Sequence, residues 1–173
     1  MRTPTLKLTA GAAVAAAAIA AAGALAPLGR ASATTSHTVR ISAKLTVTHT
    51  APPVCTNGVC LVRNHGHGTL TPYGAVTFTT VVTADTNQPP CGTGSQWVNR
   101  IIRTITTSQG TLVLHEAGLL CPQSATVGQV KAVWAADGTD STGTFAAVTG
   151  HGSDTAYPAQ NTAAPHGTLT LTP

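Results

Sequence analysis

Glu116 is the only glutamate in the 173-residue chain, and its place in an alternating stretch makes it the first candidate for chemistry. It shares strand parity with Leu112 and Leu114, so its carboxyl is expected to point inward with them. A carboxylate drawn out of water has a raised pKa and can act as a general acid or base. Arg103 shares parity with Trp97, Ile101 and Ile105 on the preceding stretch and is placed to pair with Glu116. These two residues are the catalytic candidates. An exposed glutamate at a strand end, or an inward ion pair without catalysis, is the competing reading of the same residues.

Histidine offers a second chemistry. His65 and His67 lie two apart and share a face if their strand is regular, and His151 sits beside a corresponding Gly-rich segment. With Asp154 they form a set able to hold zinc or copper. Glycines surround both segments, and a bulge there breaks the parity that such a site needs. Solvated turn histidines are the competing reading, and no metal or cofactor is expected. The chain has no Gly-x-Ser-x-Gly elbow, no His-Glu-x-x-His motif and no phosphate-binding loop.

Four cysteines remain, Cys55, Cys60, Cys91 and Cys121, and what they do depends on the compartment. Arg2 and Lys7 form a short basic region before an alanine-rich apolar stretch over 8–25. Ala31-Ser32-Ala33 offers a small-x-small cleavage site. This is the pattern of an export signal over 1–33, cut after Ala33, with one domain over 34–173. The stretch is short and weakly hydrophobic for a ~30 Å hydrocarbon core, so no membrane anchor is expected after processing. Secretion makes four cysteines two disulfides. Asn57-Gly58 between Cys55 and Cys60 is a strong hairpin signal and sets the two thiols opposite each other. The expected pairs are Cys55 with Cys60 and Cys91 with Cys121. No pair has the close C-x2-C spacing of a zinc site.

Loss of the signal also changes the charge. The full chain carries +4, whereas 34–173 holds six basic residues against five acidic ones, a net +1. Nucleic acid and acidic membrane are therefore poor partners.

The elements that position these residues are strands. Val39, Ile41, Ala43, Leu45 and Val47 alternate with polar residues as a half-buried strand does. Similar stretches follow over 59–71, 75–84, 97–107, 111–118, 128–136, 143–150 and 167–172, and the non-alternating 157–165 is expected to be a loop crossing one end. About eight strands with short connections call for a closed antiparallel barrel or a sandwich. Gly68-Thr69-Leu70-Thr71 returns as Gly167-Thr168-Leu169-Thr170, a likeness common among barrels and too brief to define a repeat.

Two segments carry a family resemblance. Gly66-His67-Gly68-Thr69-Leu70-Thr71-Pro72-Tyr73-Gly74-Ala75-Val76-Thr77 resembles a Gly-x-Gly-Thr strand-and-turn pattern in secreted actinobacterial relatives of the allene oxide cyclase and dirigent superfamily. Gly143-Thr144-Phe145-Ala146-Ala147-Val148-Thr149-Gly150-His151-Gly152 is similar to their Gly-x-Phe-x-x-x-x-Gly-x-Gly signature, although 137–143 is looser than the family's Gly-Gly-Thr-Gly run. The resemblance implies an all-β fold, a single antiparallel barrel of about eight strands around an apolar cavity, and plant members that cyclise or couple reactive small molecules. None of the plant enzymes' catalytic positions is carried over.

The expected function is a secreted, disulfide-stabilised barrel that binds a small apolar molecule. A cyclase or isomerase acting on a reactive small molecule is the first alternative, and a non-catalytic envelope protein the second. A cavity of several hundred Å3 containing Glu116 would favour the cyclase; a barrel packed solid would exclude both ligand readings.

Overall fold

A computed structural model describes residues 35–87, 97–122 and 128–173. The expected export signal and its cleavage site, and Cys91 with its expected bridge to Cys121, lie outside the described residues.

Among the described residues ten strands follow one another: β1 His37–Thr50, β2 Val54–Thr56, β3 Val59–Thr71, β4 Gly74–Asp85, β5 Trp97–Thr107, β6 Gly110–Pro122, β7 Gly128–Ala136, β8 Thr149–Tyr157, β9 Thr162–Ala163 and β10 His166–Leu171. Eight of them close an antiparallel barrel in the order β1-β3-β4-β5-β6-β7-β8-β10, with β10 returning to β1. Closure removes the free edges that an open sheet would expose. The short β2 extends the hairpin into β3, and β9 fills in between β8 and β1 beyond the end of β10.

Alternation builds the wall. Ile41, Ala43 and Leu45 of β1 are buried while Arg40, Ser42, Lys44 and Thr46 are exposed, and the inward set on β4 is Val76, Phe78, Thr80, Val82 and Ala84. Between β2 and β3, Asn57 and Gly58 both take positive φ, 51° and 78°, as the twist of a two-residue hairpin requires. Cys55 stands opposite Cys60, and the two are joined by a disulfide.

The signature over 143–152 folds differently from the expected strand over 143–150. Gly143–Phe145 is a turn of 3-10 helix, and the strand begins only at Thr149. The turn hooks onto the β5–β6 hairpin, with Thr142 N donating to Thr111 O at 2.9 Å and Thr144 N to Gln109 O at 3.0 Å. Phe145 thereby drops into one end of the barrel, where it is fully buried and meets Tyr73 edge to face, 4.8 Å between ring centres. Leu70, Ile105, Leu112, Leu114, Val148 and Leu169 pack beside it. The expected loop over 157–165 contains a second 3-10 turn, Pro158–Gln160, and the two residues of β9.

Large rings in the wall need small partners. Trp134 of β7 lies across β8 and β10, and a Cβ on Gly152 or Gly167 would collide with its indole ring. Phe78 makes the same demand on Gly66. Glycine here makes room for a close approach rather than supplying a special backbone angle.

Candidate functional site

A belt of polar side chains crosses the interior above this apolar plug. Asn64, Thr80 and Arg103 face one another directly across β3, β4 and β5. Glu116 lies one diagonal step further on β6, because its direct partner on β5 is Ile101 whereas Arg103 pairs with Leu114. Diagonal neighbours are within reach of a long side chain. Arg103 Nε donates to Glu116 Oε1 at 2.6 Å and Nη2 to Oε2 at 3.1 Å, a bidentate fork. Nη2 also donates to Asp154 Oδ2 of β8 at 2.6 Å.

All three charged side chains are buried. The guanidinium centre also stands 5.8 Å from the middle of the Phe78 ring, a favourable place for a cation. Asp154 is anchored from behind, since its Oδ1 accepts the Ala164 N–H at 3.0 Å where the chain steps from β9 to β10. Asn64 Nδ2 donates to Thr80 Oγ1 at 3.0 Å.

Two carboxylates sharing one guanidinium leave the cluster one negative charge in excess when all three groups are ionised. Burial accordingly pushes the Glu116 carboxyl from the ordinary 4.5 up to about 6, with Asp154 adding to the rise and Arg103 opposing it. Burial works against the Arg103 charge, but the attraction and hydrogen bonds of Glu116 and Asp154 outweigh it and raise its pKa.

On the far side of the belt lies a cavity of about 390 Å3. Its lining is mainly apolar, including Val62, Phe78, Val82, Ile101, Val130 and Ala156, with Asn64, Thr80 and Arg103 among its polar members. Glu116 and Asp154 do not line it. Arg103 thus stands between the empty space and the two carboxylates.

The expected pairing of Arg103 with Glu116 is present, and both side chains point inward as their strand parity requires. Asp154 is where the sequence misled. Its expected place is with the histidines, but the strand carrying it runs to Tyr157, and its carboxylate is buried and accepts from Arg103. His65 and His67 lie exposed on β3 and His151 exposed on β8, with β1 and β10 between these strands in the barrel. The four are not brought together. His65 instead stacks on His49, ring centres 4.7 Å apart.

Among the described residues, one group has metal-ligand spacing, namely His115, Asp137 and Asp140 on the outer surface. Asp137 Oδ1 there accepts the N–H groups of Thr139 and Asp140, at 2.9 and 3.3 Å, which holds its carboxyl below the usual range. That carboxylate chiefly closes a turn.

An eight-stranded barrel, plugged at one end and holding an apolar cavity over a buried Arg–Glu–Asp cluster, is the class of protein that fold and site define. No protein-family model, curated protein sequence or solved structure matches the chain.

Proposed function

We propose that the chain is an exported barrel that binds a small, largely apolar molecule in its interior. The observation carrying this reading is the cavity of about 390 Å3 lined by aliphatic side chains and floored by Arg103. Binding sites for small molecules are commonly concave and apolar, with a few convergent polar groups, and fall in this size range. At liquid-like density the space holds about a dozen heavy atoms. Burying hydrogen-bonding groups beneath an apolar space costs stability unless each has a partner. A ligand oxygen would partner the donors that the belt leaves open.

The Cys55–Cys60 disulfide supports export, because such bonds persist mainly in oxidising compartments. The closed eight-stranded barrel with an interior cavity supports membership of the allene oxide cyclase and dirigent-like superfamily. The cyclase or isomerase alternative has less support. It needs a carboxyl within reach of substrate, whereas both Glu116 oxygens are engaged by Arg103 and Glu116 does not line the cavity. An envelope protein with no ligand has no need of the space.

Two measurements test the reading. Native mass spectrometry of the protein exported from its own host is expected to reveal a co-purifying small molecule. Calorimetric titration with 2-undecanone is expected to show one saturable site, lost on Ala156→Phe, a substitution that fills the cavity. Saturable binding that survives Ala156→Phe in a folded barrel would place the ligand elsewhere, and no binding at all would leave the envelope reading.

A further inference from the structure

We propose that the cavity selects its ligand by charge, taking neutral molecules that end in a hydrogen-bond acceptor, such as a ketone or ether oxygen, and excluding anions of the same shape. The inference rests on the binding reading above and adds the chemical class of the ligand. An arginine in an apolar pocket would ordinarily suggest a carboxylate or phosphate ligand. Here that place is already taken.

The Nε hydrogen and both Nη2 hydrogens of Arg103 go to Glu116 and Asp154. Nη1 has no partner among the described residues, and Arg103 lines the cavity. Thr80 Oγ1 accepts from Asn64, so its own hydrogen is available to a second acceptor. The belt therefore offers donors to whatever enters. It does not offer positive charge, because the two carboxylates behind the guanidinium more than cancel it.

Among the described residues, the groups facing this cluster add no compensating cation. Phe78 and Thr80 approach from β4 and Trp134 stands opposite Glu116 on β7. Arg100, His115, Lys131 and His151 belong to the same wall strands but are exposed on its outer face. An anion brought to Nη1 would meet Glu116 and Asp154 across a few ångströms of low-dielectric interior, where charges interact far more strongly than in water. A ketone oxygen takes the same N–H bond without that repulsion.

The cluster also makes the selection depend on pH. Glu116 gains a proton near pH 6, which removes the surplus negative charge. Anions are then admitted at pH 5 far better than at pH 7.5.

The test compares three probes of matched length by calorimetry: 2-undecanone, decanesulfonate, which stays anionic at both pH values, and undecane. At pH 7.5 the ketone is expected to bind at least about tenfold more tightly than the sulfonate, a difference of about 1.4 kcal/mol. That gap should narrow at pH 5, and in Glu116→Gln at pH 7.5. Sulfonate binding at pH 7.5 as tight as the ketone would overturn charge selection while leaving the binding site intact. Undecane binding as tight as the ketone would overturn acceptor recognition in the same way. If none of the three binds, the binding reading itself fails and this inference with it.

Discussion

Arg103 and Glu116 meet through two parallel N–H···O bonds, 2.6 and 3.1 Å long, inside the barrel wall. Such a fork is strong in itself, but both partners have been taken out of water and a second carboxylate shares the guanidinium. Removing the cation alone, in Arg103→Met, would strand two buried carboxylates. Loss of one partner from a buried pair typically costs about 3–5 kcal/mol. Urea unfolding at pH 7.5 is expected to show a loss of that size. Adding Glu116→Leu and Asp154→Asn should restore most of it, because the cost comes from uncompensated charge. A triple variant no more stable than Arg103→Met would show that the cluster holds the barrel by its contacts instead.

The raised pKa of Glu116 predicts a pH dependence of definite sign. Its carboxyl holds a proton to about pH 6 when folded and loses it nearer 4.5 when exposed. Between those values the folded state binds more protons, so stability from this group is complete below pH 4.5 and falls as pH rises through 6. The shift corresponds to about 2 kcal/mol. Other groups titrate over this range, so the measurement is the difference between the wild-type chain and Glu116→Gln in urea unfolding from pH 4 to 8. The wild type should lose ground to the variant with rising pH; a flat difference would refute the raised value.

The places where the sequence spoke clearly are those where one strand carries its own pattern. β1 alternates apolar and polar residues by itself, Asn57-Gly58 specifies its turn by itself, and the parity of Arg103 and Glu116 could be counted from their leucine and isoleucine neighbours. β8 has no such pattern. Its inward residues include Gly150, Gly152 and Asp154, because the space beside Gly152 is filled by Trp134 reaching across from β7 and that beside Gly150 by Leu169 of β10. Its hydrophobicity is borrowed from another strand and leaves no trace in its own sequence. The strand therefore begins later than the expected 143–150, at Thr149, and Asp154 belongs with Arg103 and not with the histidines. Phe145, the most apolar residue of that segment, looked like a strand residue but acts as a plug.

The same borrowing makes Gly152 sensitive. A methyl group there would overlap both the Trp134 ring and the backbone oxygen of His166, and backbone cannot rotate away as a side chain can. Overpacking of this kind typically costs about 1–3 kcal/mol. Gly152→Ala is expected to lower stability by at least that much and to change the fluorescence of Trp134, whose Nε1 now donates to Ser153 O at 3.1 Å. Gly74→Ala is the comparison, since nothing lies within 4 Å of a Cβ there although φ is +86°. Strain alone should cost it about 1 kcal/mol. Equal losses at the two sites would mean that crowding around Trp134 is relieved elsewhere.

Plug and cavity occupy opposite sides of the polar belt, and this separation predicts that they can be perturbed independently. Phe145 is fully buried among Leu70, Leu112, Leu114 and Leu169 and lines none of the cavity. Phe145→Ala removes a ring from a close-packed region, which typically costs about 3–5 kcal/mol through lost burial and the void left behind. Phe78 and Ala163 belong both to the packed cluster and to the cavity lining, and sites joined only through such neighbours stay close to additive where those neighbours hold their places. Where the variant is still folded, its affinity for 2-undecanone should therefore stay within about twofold of wild type. Ala156→Phe should do the reverse, abolishing binding with a smaller effect on unfolding. If Phe145→Ala instead weakened ligand binding strongly, the belt would be transmitting the loss of packing across the barrel, and Arg103 would owe its position to the plug beneath it as well as to Glu116 and Asp154.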